Sequence, residues 1–533
     1  MQRRDLMRAG IGAAGFASLG MARPSLAQPA GSRVLKFVPQ ADLTVIDPVM
    51  TTAYITRHHG LMVWDQLYGL DSKLQPQPQM VLGHTVEDDG KRWTFKLRPG
   101  LVFHDGEPVR GRDCVASIKR WAQRDALGQI LLARTAEMTA PADDTFVIRL
   151  TKPFGVMLDT LAKVGPPALL IMPERIASAD AFRPITELVG SGPFKWKADE
   201  RIVGARVVYE KFNGYKPRES GAVDWLAGPK VVNFDRVEWN VMPDSSTKAS
   251  ALVNGEVDWW ENPPNDLLPL LQRSRNLTIE THAVLGTPGT GVFNHLHHPF
   301  DKPAIRRAVL SATSQADFMT AAAGTDPAMW TADMGFFTPG TPMASKVGIE
   351  ALTGPRDYAA AKKAIAAAGY NGERVVLMAA SDNPALNALG DVCNDLLANK
   401  LGMNVDYVVT DWGTVIQRRA SKEAPDKGGW NMFNTTWSGL DMINPAVNGT
   451  LRANGDKAFF GWPNIPAIET LREAWLEAPD LATQQKICAD IQKVAFQEVP
   501  YLPTGSYLSK SAWRKDITGV LTGQIVFWNM KRG

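Results

Sequence analysis

Apolar and polar positions change period several times along the chain, and each change marks an element. Residues 33–38 (Arg-Val-Leu-Lys-Phe-Val) are bounded by Gly31 and Pro39 and read as an opening strand. Residues 92–97 alternate polar with apolar, the pattern of a half-buried strand, and Pro99-Gly100 closes it with a turn. A second short strand and turn are expected over 101–106. Residues 112–123 then switch to helical spacing, with Val115, Ile118 and Ala122 on one face and Asp113 as the expected cap. The second half repeats this alternation more clearly. Ala- and Lys-rich residues 357–368 predict a helix ended by Gly369, and 374–378 a strand. Residues 386–401 predict a helix stopped by Gly402, 405–409 a strand, and 483–496 a further helix. The Pro/Gly-rich stretch 336–355 reads as a long surface loop. Such βαβ alternation argues for an α/β protein with helix-covered sheets. No linker marks a domain boundary, which fits lobes built from discontinuous segments.

Length and composition narrow the class. At roughly 150 residues per domain, 533 residues make two to four structural units. With 45% apolar and 21% charged residues the chain is globular and not disordered. A formal charge of +3 excludes a nucleic-acid-coating surface. Even that small excess has a local origin. Residues 1–27 carry Arg3, Arg4, Arg8 and Arg23 against Asp5, leaving 54 basic and 54 acidic residues in the remainder. The twin arginines, the 14-residue small-apolar run 9–22 and Ser25-Leu26-Ala27 form an export signal with a cleavage site. The arginine pair resembles a Tat address, with an ordinary Sec signal as the alternative. The run falls short of the ~20 residues that span a bilayer, and no membrane span is expected. Cys114, Cys393 and Cys488 lie far apart in helix-like stretches. They read as buried free thiols, with one disulfide as the alternative.

Enzyme signatures are missing. There is no G-x-S-x-G elbow, no G-x-x-x-x-G-K-[ST] loop and no H-E-x-x-H. Phe103-His104-Asp105-Gly106 looks like a His-Asp dyad. Adjacent strand residues point apart, however, and Asp-Gly is a turn signal. His295, His297 and His298, with His58-His59, form the densest imidazole groups. They lack companion carboxylates at ligand spacing, so no metal and no cofactor are expected.

One ordered series of segments resembles a known family. It comprises Ile46-Asp47-Pro48, then 93–108 (Trp-Thr-Phe-Lys-Leu-Arg-Pro-Gly-Leu-Val-Phe-His-Asp-Gly-Glu-Pro), Asp113-Cys114-Val115 and Ser117-Ile118-Lys119-Arg120-Trp121. Gly190-Ser191-Gly192-Pro193-Phe194, Gly255-Glu256-Val257-Asp258, Phe293-Asn294, Pro299-Phe300-Asp301 and Arg306-Arg307-Ala308-Val309 follow in order. Together they resemble the extracytoplasmic solute-binding proteins of peptide-type ABC transporters (family 5, cluster C).

The resemblance implies a type II two-lobed binding protein with an extra domain in the first lobe. The lobes close on a ligand and then present it to a membrane permease. The implied division is a signal over 1–27, lobe I over 28–70, 190–295 and 505–533, an inserted subdomain over 71–189, and lobe II over 296–504. It implies a periplasmic, monomeric, non-enzymatic protein that takes a peptide or another medium-sized polar solute. An exported metal-dependent hydrolase, or a chaperone or sensory protein on the same fold, is the alternative. The cleft is expected at Tyr54, Trp259, Trp260, Asn294, Trp412, Trp437, Ser438, Asp441 and Asn444, aromatic walls with a few polar groups. Asp441 stands one residue later than the family's amine-binding Asp, and Leu440 takes that place. The expectation is that Asp441 meets a cationic or hydroxyl group of the ligand.

Overall fold

The computed structural model describes residues 33–478 and 480–533. The export-signal reading lies outside the described residues. Two large sheets organise the chain. The first has the order Leu277–Thr281, Lys510–Arg514, Trp259–Trp260, Val34–Val38, Arg236–Asn240, Arg206–Lys211 and Phe194–Trp196. The second runs Trp330–Thr331, Leu502–Tyr507, Thr287–Phe293, Met432–Thr436, Val375–Ala380 and Val405–Thr410. Each forms the centre of one lobe.

Two chain crossings, 282–286 and 508–509, connect these sheets. They run side by side and are hydrogen-bonded to each other. The His282 amide donates to the Ser509 carbonyl at 3.3 Å, and Thr287 pairs with Tyr507. Paired crossings of this kind make a hinge, because a small change in a few φ/ψ angles swings one sheet against the other. A third, antiparallel sheet (Val81–Glu87, Arg92–Leu97, Thr145–Leu150, Thr135–Ala142) belongs to the chain between the first lobe's early strands.

Several elements form for the reasons read from the sequence. The helix Tyr358–Ala367 starts at Asp357, whose carboxylate accepts the Ala360 amide at 2.9 Å, and Gly369 takes φ +93° beyond its end. Strand Val375–Ala380 is buried at all six positions, as a parallel strand covered on both faces must be.

Other elements differ. Residues 101–106 form no strand. Phe103 N–H bonds to the Glu107 carbonyl at 2.8 Å around Gly106 at φ +92°, leaving one bridge between Val102 and Pro108. Asp113 is not the cap of Gly111–Ala122. It sits one turn in, where its carboxylate reaches back to the Arg110 amide and across to the Glu174 amide, both at 2.7 Å. The 386–401 helix is regular only over Pro384–Asn394, then widens to a π-helix over Asp395–Lys400. The 336–355 stretch is irregular but does not stay on the surface, since Phe336, Phe337 and Thr338 are buried. All three cysteines are buried and free.

One interior ion pair ties the inserted subdomain to the first lobe. Arg120 Nη2 donates to Asp47 Oδ2 at 2.7 Å, with side chains 1% and 0% exposed. Asp47 also accepts the amides of Val49 and Ile185 at 3.0 Å, and Arg120 donates to the carbonyls of Ala179, Asp180 and Arg183. Removing one partner leaves a buried charge alone, so Asp47→Asn and Arg120→Met should each cost about 3–5 kcal/mol in chemical denaturation. The apolar double replacement should recover part of that loss. Single variants within 1 kcal/mol of the parent, roughly the level of an exposed pair, would refute this account.

Candidate functional site

Between the lobes lies a cavity of about 810 Å³, within the range of small-ligand sites. Three parts of the chain wall it. The inserted subdomain supplies the helix Ala126–Arg134 and the loop around Lys163 and Pro167. The first lobe supplies Thr52, and the second lobe supplies Trp437, Asp441 and residues 446–459. A side pocket of about 140 Å³ shares Ile130, Ala446, Arg452 and Asn454 with it.

Asp441 is the polar centre. It is buried on the 3₁₀ turn Gly439–Met442 that follows the strand Met432–Thr436. Tyr54, first residue of the helix Tyr54–Val63, donates its hydroxyl to Asp441 Oδ2 at 2.5 Å and accepts the Ser438 amide at 2.5 Å. These bonds cross the cleft. Burial pushes the Asp441 carboxyl above its usual range, and Lys163, the Tyr54 bond and Arg57 offset this only in part. The Tyr54 hydroxyl is pushed well above its usual value by burial and by Asp441, so it stays a donor. Close packing explains the tight fit of the carboxylate. A Cβ built on Gly165 would stand 1.9 Å from Asp441 Oδ1, so only glycine lets the two chains approach this way. The one-residue shift after Trp437 is absorbed by the 3₁₀ turn. Leu440 is thereby pointed into the first lobe's core cluster while Asp441 faces the cavity.

The remaining charges on the wall are mixed. Lys163 is spent on Asp125 Oδ2 (2.7 Å) and the Gly165 carbonyl (2.8 Å). Asp125 also caps Ala126–Arg134 through the Leu127 and Gly128 amides. Arg452 reaches only the neutral Gln129 side chain, at 3.1 Å, and so keeps donor capacity toward the cavity. Phe459 meets Trp437 edge-on at 5.1 Å, and Trp437 Nε1 donates to Thr290 at 3.1 Å. At the rim, Arg134 and Lys152 of the inserted subdomain grip Glu473 and Glu477 of the second-lobe helix Pro466–Glu477.

The structure sorts the nine residues expected from the sequence. Trp437 and Asp441 line the cavity, and Tyr54 and Ser438 meet at its edge. Trp412 opens the helix Trp412–Arg418 on the second lobe, behind Phe459. Asn444 spends its oxygen on the Ala446 and Val447 amides, shaping the wall without lining it. Trp259 and Trp260 lie in the first lobe's interior, where Trp259 Nε1 bonds Ser511 at 2.6 Å among Phe37 and Phe527. Asn294 is fully buried and holds the Trp430 carbonyl at 2.9 Å. Asp125, Lys163, Arg452 and Phe459 were not foreseen, and only the helix-capping position of Asp125 carried a sequence signal.

His104 and Asp105 turn to different partners, His104 to the Gly190 amide and Gly192 carbonyl and Asp105 to Arg175. Among the described residues no group of three His, Cys, Asp or Glu is placed to hold a metal ion. A second polar group lies beneath Tyr54–Val63. His58 approaches Glu261 at 3.8 Å, but burial and Arg57 keep its imidazole well below its usual value, so the contact is not an ion pair. Burial pushes Glu261 up to about 7, against the opposing Gln40 amide and Arg57, and pushes His282 down to about 4.

Two expectations follow. Tyr54→Phe leaves an Asp441 oxygen buried without its donor, which costs the closed form about 1–3 kcal/mol. Solution scattering of the ligand-free variant should show a larger radius of gyration; an unchanged profile would count against the cross-cleft bond. Folding raises the Glu261 pKa from 4.5 to about 7, so its contribution to stability is complete below pH 4.5 and is lost as pH rises through 7. Glu261→Gln should therefore raise the melting temperature at pH 8 and lose that advantage at pH 4; equal gains at both values would refute it.

Comparison with known proteins agrees with this architecture. Residues 75–458 match the bacterial extracellular solute-binding proteins, family 5 Middle. A probable peptide ABC transporter periplasmic-binding protein of Sinorhizobium fredii is 36% identical over 542 residues, covering 100% of this chain and 99% of that one. A glutathione-binding protein of Pectobacterium atrosepticum is 25% identical, over 97% of this chain and 96% of its own. Among solved structures, a dipeptide binding protein from Pseudoalteromonas in complex with Met-Leu superposes with a TM-score of 0.78 at 18% identity, covering 94% of this chain and 100% of that one. The fold is the two-lobed α/β fold of these binding proteins.

Proposed function

Because the chain belongs to the bacterial extracellular solute-binding proteins, family 5, we propose that it captures a peptide or similar medium-sized polar solute by lobe closure and delivers it to an ABC permease. The observation that carries this reading is the buried Asp441 carboxylate on the cavity wall, with the partly free Arg452 guanidinium on the same wall. A solute bearing an amine and a carboxylate satisfies both. In the bound state an ammonium group joins the Tyr54 hydroxyl on Asp441, and a carboxylate takes the Arg452 donors. Closure is driven by differential affinity, since only the closed form presents all three walls at once.

The cellular setting belongs to the same proposal. The protein works as a periplasmic monomer, exported by the signal in 1–27 through the Tat route or, failing that, Sec. The boundaries we propose follow the hinge crossings: lobe I over 33–70, 190–281 and 510–533, the inserted subdomain over 71–189, and lobe II over 287–507. Strands Thr287–Phe293 and Leu502–Tyr507 support this placement by pairing in the second sheet.

The test uses Ala-Ala-Ala and its N-acetylated form in thermal-shift and calorimetric titrations of the full chain. The free peptide should stabilise the protein, and acetylation or Asp441→Asn should weaken binding at least about tenfold, as loss of a charge-assisted bond does. Affinity should also fall as pH drops through the raised Asp441 pKa, because the protonated carboxyl no longer attracts an ammonium. Equal binding of free and acetylated peptide, or no stabilisation by any peptide, would overturn the reading.

A further inference from the structure

Most buried arginines in this protein end on oxygen; Arg57 instead meets the His58 ring at 3.1 Å, with the Asp441 and Glu261 carboxylates acting on it from further away. Arg120 ends on Asp47, Arg134 on Glu473, Arg306 on the Glu498, Val499 and Phe300 carbonyls, and Arg472 on the Asn448 carbonyl and Glu469. Arg419 does not. It caps the helix Trp412–Arg418, is 7% exposed, and its Nε is buried with no hydrogen-bond partner. The guanidinium lies 4.6 Å from the centre of the Phe460 ring, 5.6 Å from Phe459 and 5.7 Å from Trp412. Its neighbour Arg418 takes the oxygens within reach, the Gly428 and Gly429 carbonyls at 2.8 and 2.7 Å. Burial alone lowers the Arg419 pKa to about 10, with no carboxylate contributing.

This arrangement is expensive for a purely structural residue. A cation 7% exposed that meets neither a carboxylate nor a carbonyl loses much of its hydration without replacement, and ring faces return about 2 kcal/mol at best. Aromatic walls around a guanidinium do suit a site that waits for an anion. They exclude water and hold the fork rigid, so a carboxylate can take two parallel N–H bonds. Phe459 links the group to the cleft, because the same ring packs on Arg419 and lines the cavity.

We propose that Arg419, framed by Trp412, Phe459 and Phe460, is a second anion subsite of the cleft, so that the captured solute carries a carboxylate beyond the amine and carboxylate matched by Asp441 and Arg452. The solute class is then an acidic peptide or a comparable amino polycarboxylate. This inference rests on the cleft being the solute site, and its test separates the two. Glutarate is titrated into the full chain at constant ionic strength, with uncharged glutaramide as control, while tryptophan fluorescence is followed. A Trp412→Phe variant identifies the responding ring. The wild type should give a saturable response to glutarate and none to glutaramide. Arg419→Lys should weaken it, and Arg419→Met should weaken it at least about tenfold. Arg419→Met should melt no lower than the parent without ligand, because it removes an uncompensated charge and keeps the apolar volume. No saturable glutarate response in the wild type, or one undiminished in Arg419→Met, overturns the subsite whatever peptides do. A lower melting temperature of Arg419→Met also counts against it, since that marks a structural cation. Wild-type stabilisation by Ala-Ala-Ala without a glutarate response sinks the subsite and keeps the peptide reading. A glutarate response without peptide binding does the reverse.

Discussion

The buried pair between Asp47 and Arg120 determines where one wall of the cleft stands. Asp47 follows the opening strand and holds its own loop through Val49 and the Met50 turn. That loop ends at Thr52, on the cavity, and at Tyr54, the first residue of the helix that meets Asp441. Arg120 belongs to a helix of the inserted subdomain and is held by three carbonyls from 179–183. The pair therefore fixes two separately folded parts in one geometry, with charge as the fastener. Solvent does not reach it, and both carboxylate oxygens and both Arg120 Nη groups are bonded, the condition under which a buried ion pair holds.

A contrast runs through the rest of the molecule. Asp47 with Arg120 and Asp65 with Lys230 are matched in the interior, while charges near the cleft are matched only in part. Asp125 and Lys163 neutralise each other, but Asp441 has a phenol and Arg452 an amide. Such sites are costly in the closed form and gain most from a solute with complementary groups. Other contacts between the parts work the other way. Leu440 enters the first lobe's core cluster, and the Arg134–Lys152–Glu473–Glu477 group draws the rim together. Closure is thus a balance between interfacial contacts that favour it and polar groups that remain unsatisfied.

How much of this was legible in the sequence depended on range. Local signals read well. Gly369 follows the helix Tyr358–Ala367 and ends it, as expected. Trp437 and Asp441 fall on the cavity wall because the motif segment that carries them lies there. Trp259 and Trp260 misled because adjacent aromatics look the same in a core and in a wall; only the sheet, which sends them to opposite interiors, decides. Asn294 misled because a buried amide serving a carbonyl has no sequence signature. The partnerships of Asp125 with Lys163, and of Arg452 with Gln129, join positions far apart in the chain, and no periodicity encodes them. The Gly439–Met442 turn had the same difficulty: its residues were visible, and its rotation of Leu440 away from the cavity was not.

The order of strands in the first sheet has a consequence for synthesis. Strand Leu277–Thr281 joins that sheet only through Lys510–Arg514, which also pairs with Trp259–Trp260. The edge of the first lobe therefore stays unformed until almost the last residues leave the ribosome, although Val34–Val38 was made at the start. The second sheet likewise waits for Leu502–Tyr507 before Trp330–Thr331 has a partner. Contacts this distant in sequence slow folding. A nascent chain of this protein therefore carries two unfinished sheet edges through the later part of translation, one from residue 281 and one from residue 331, until the strands Leu502–Tyr507 and Lys510–Arg514 are made.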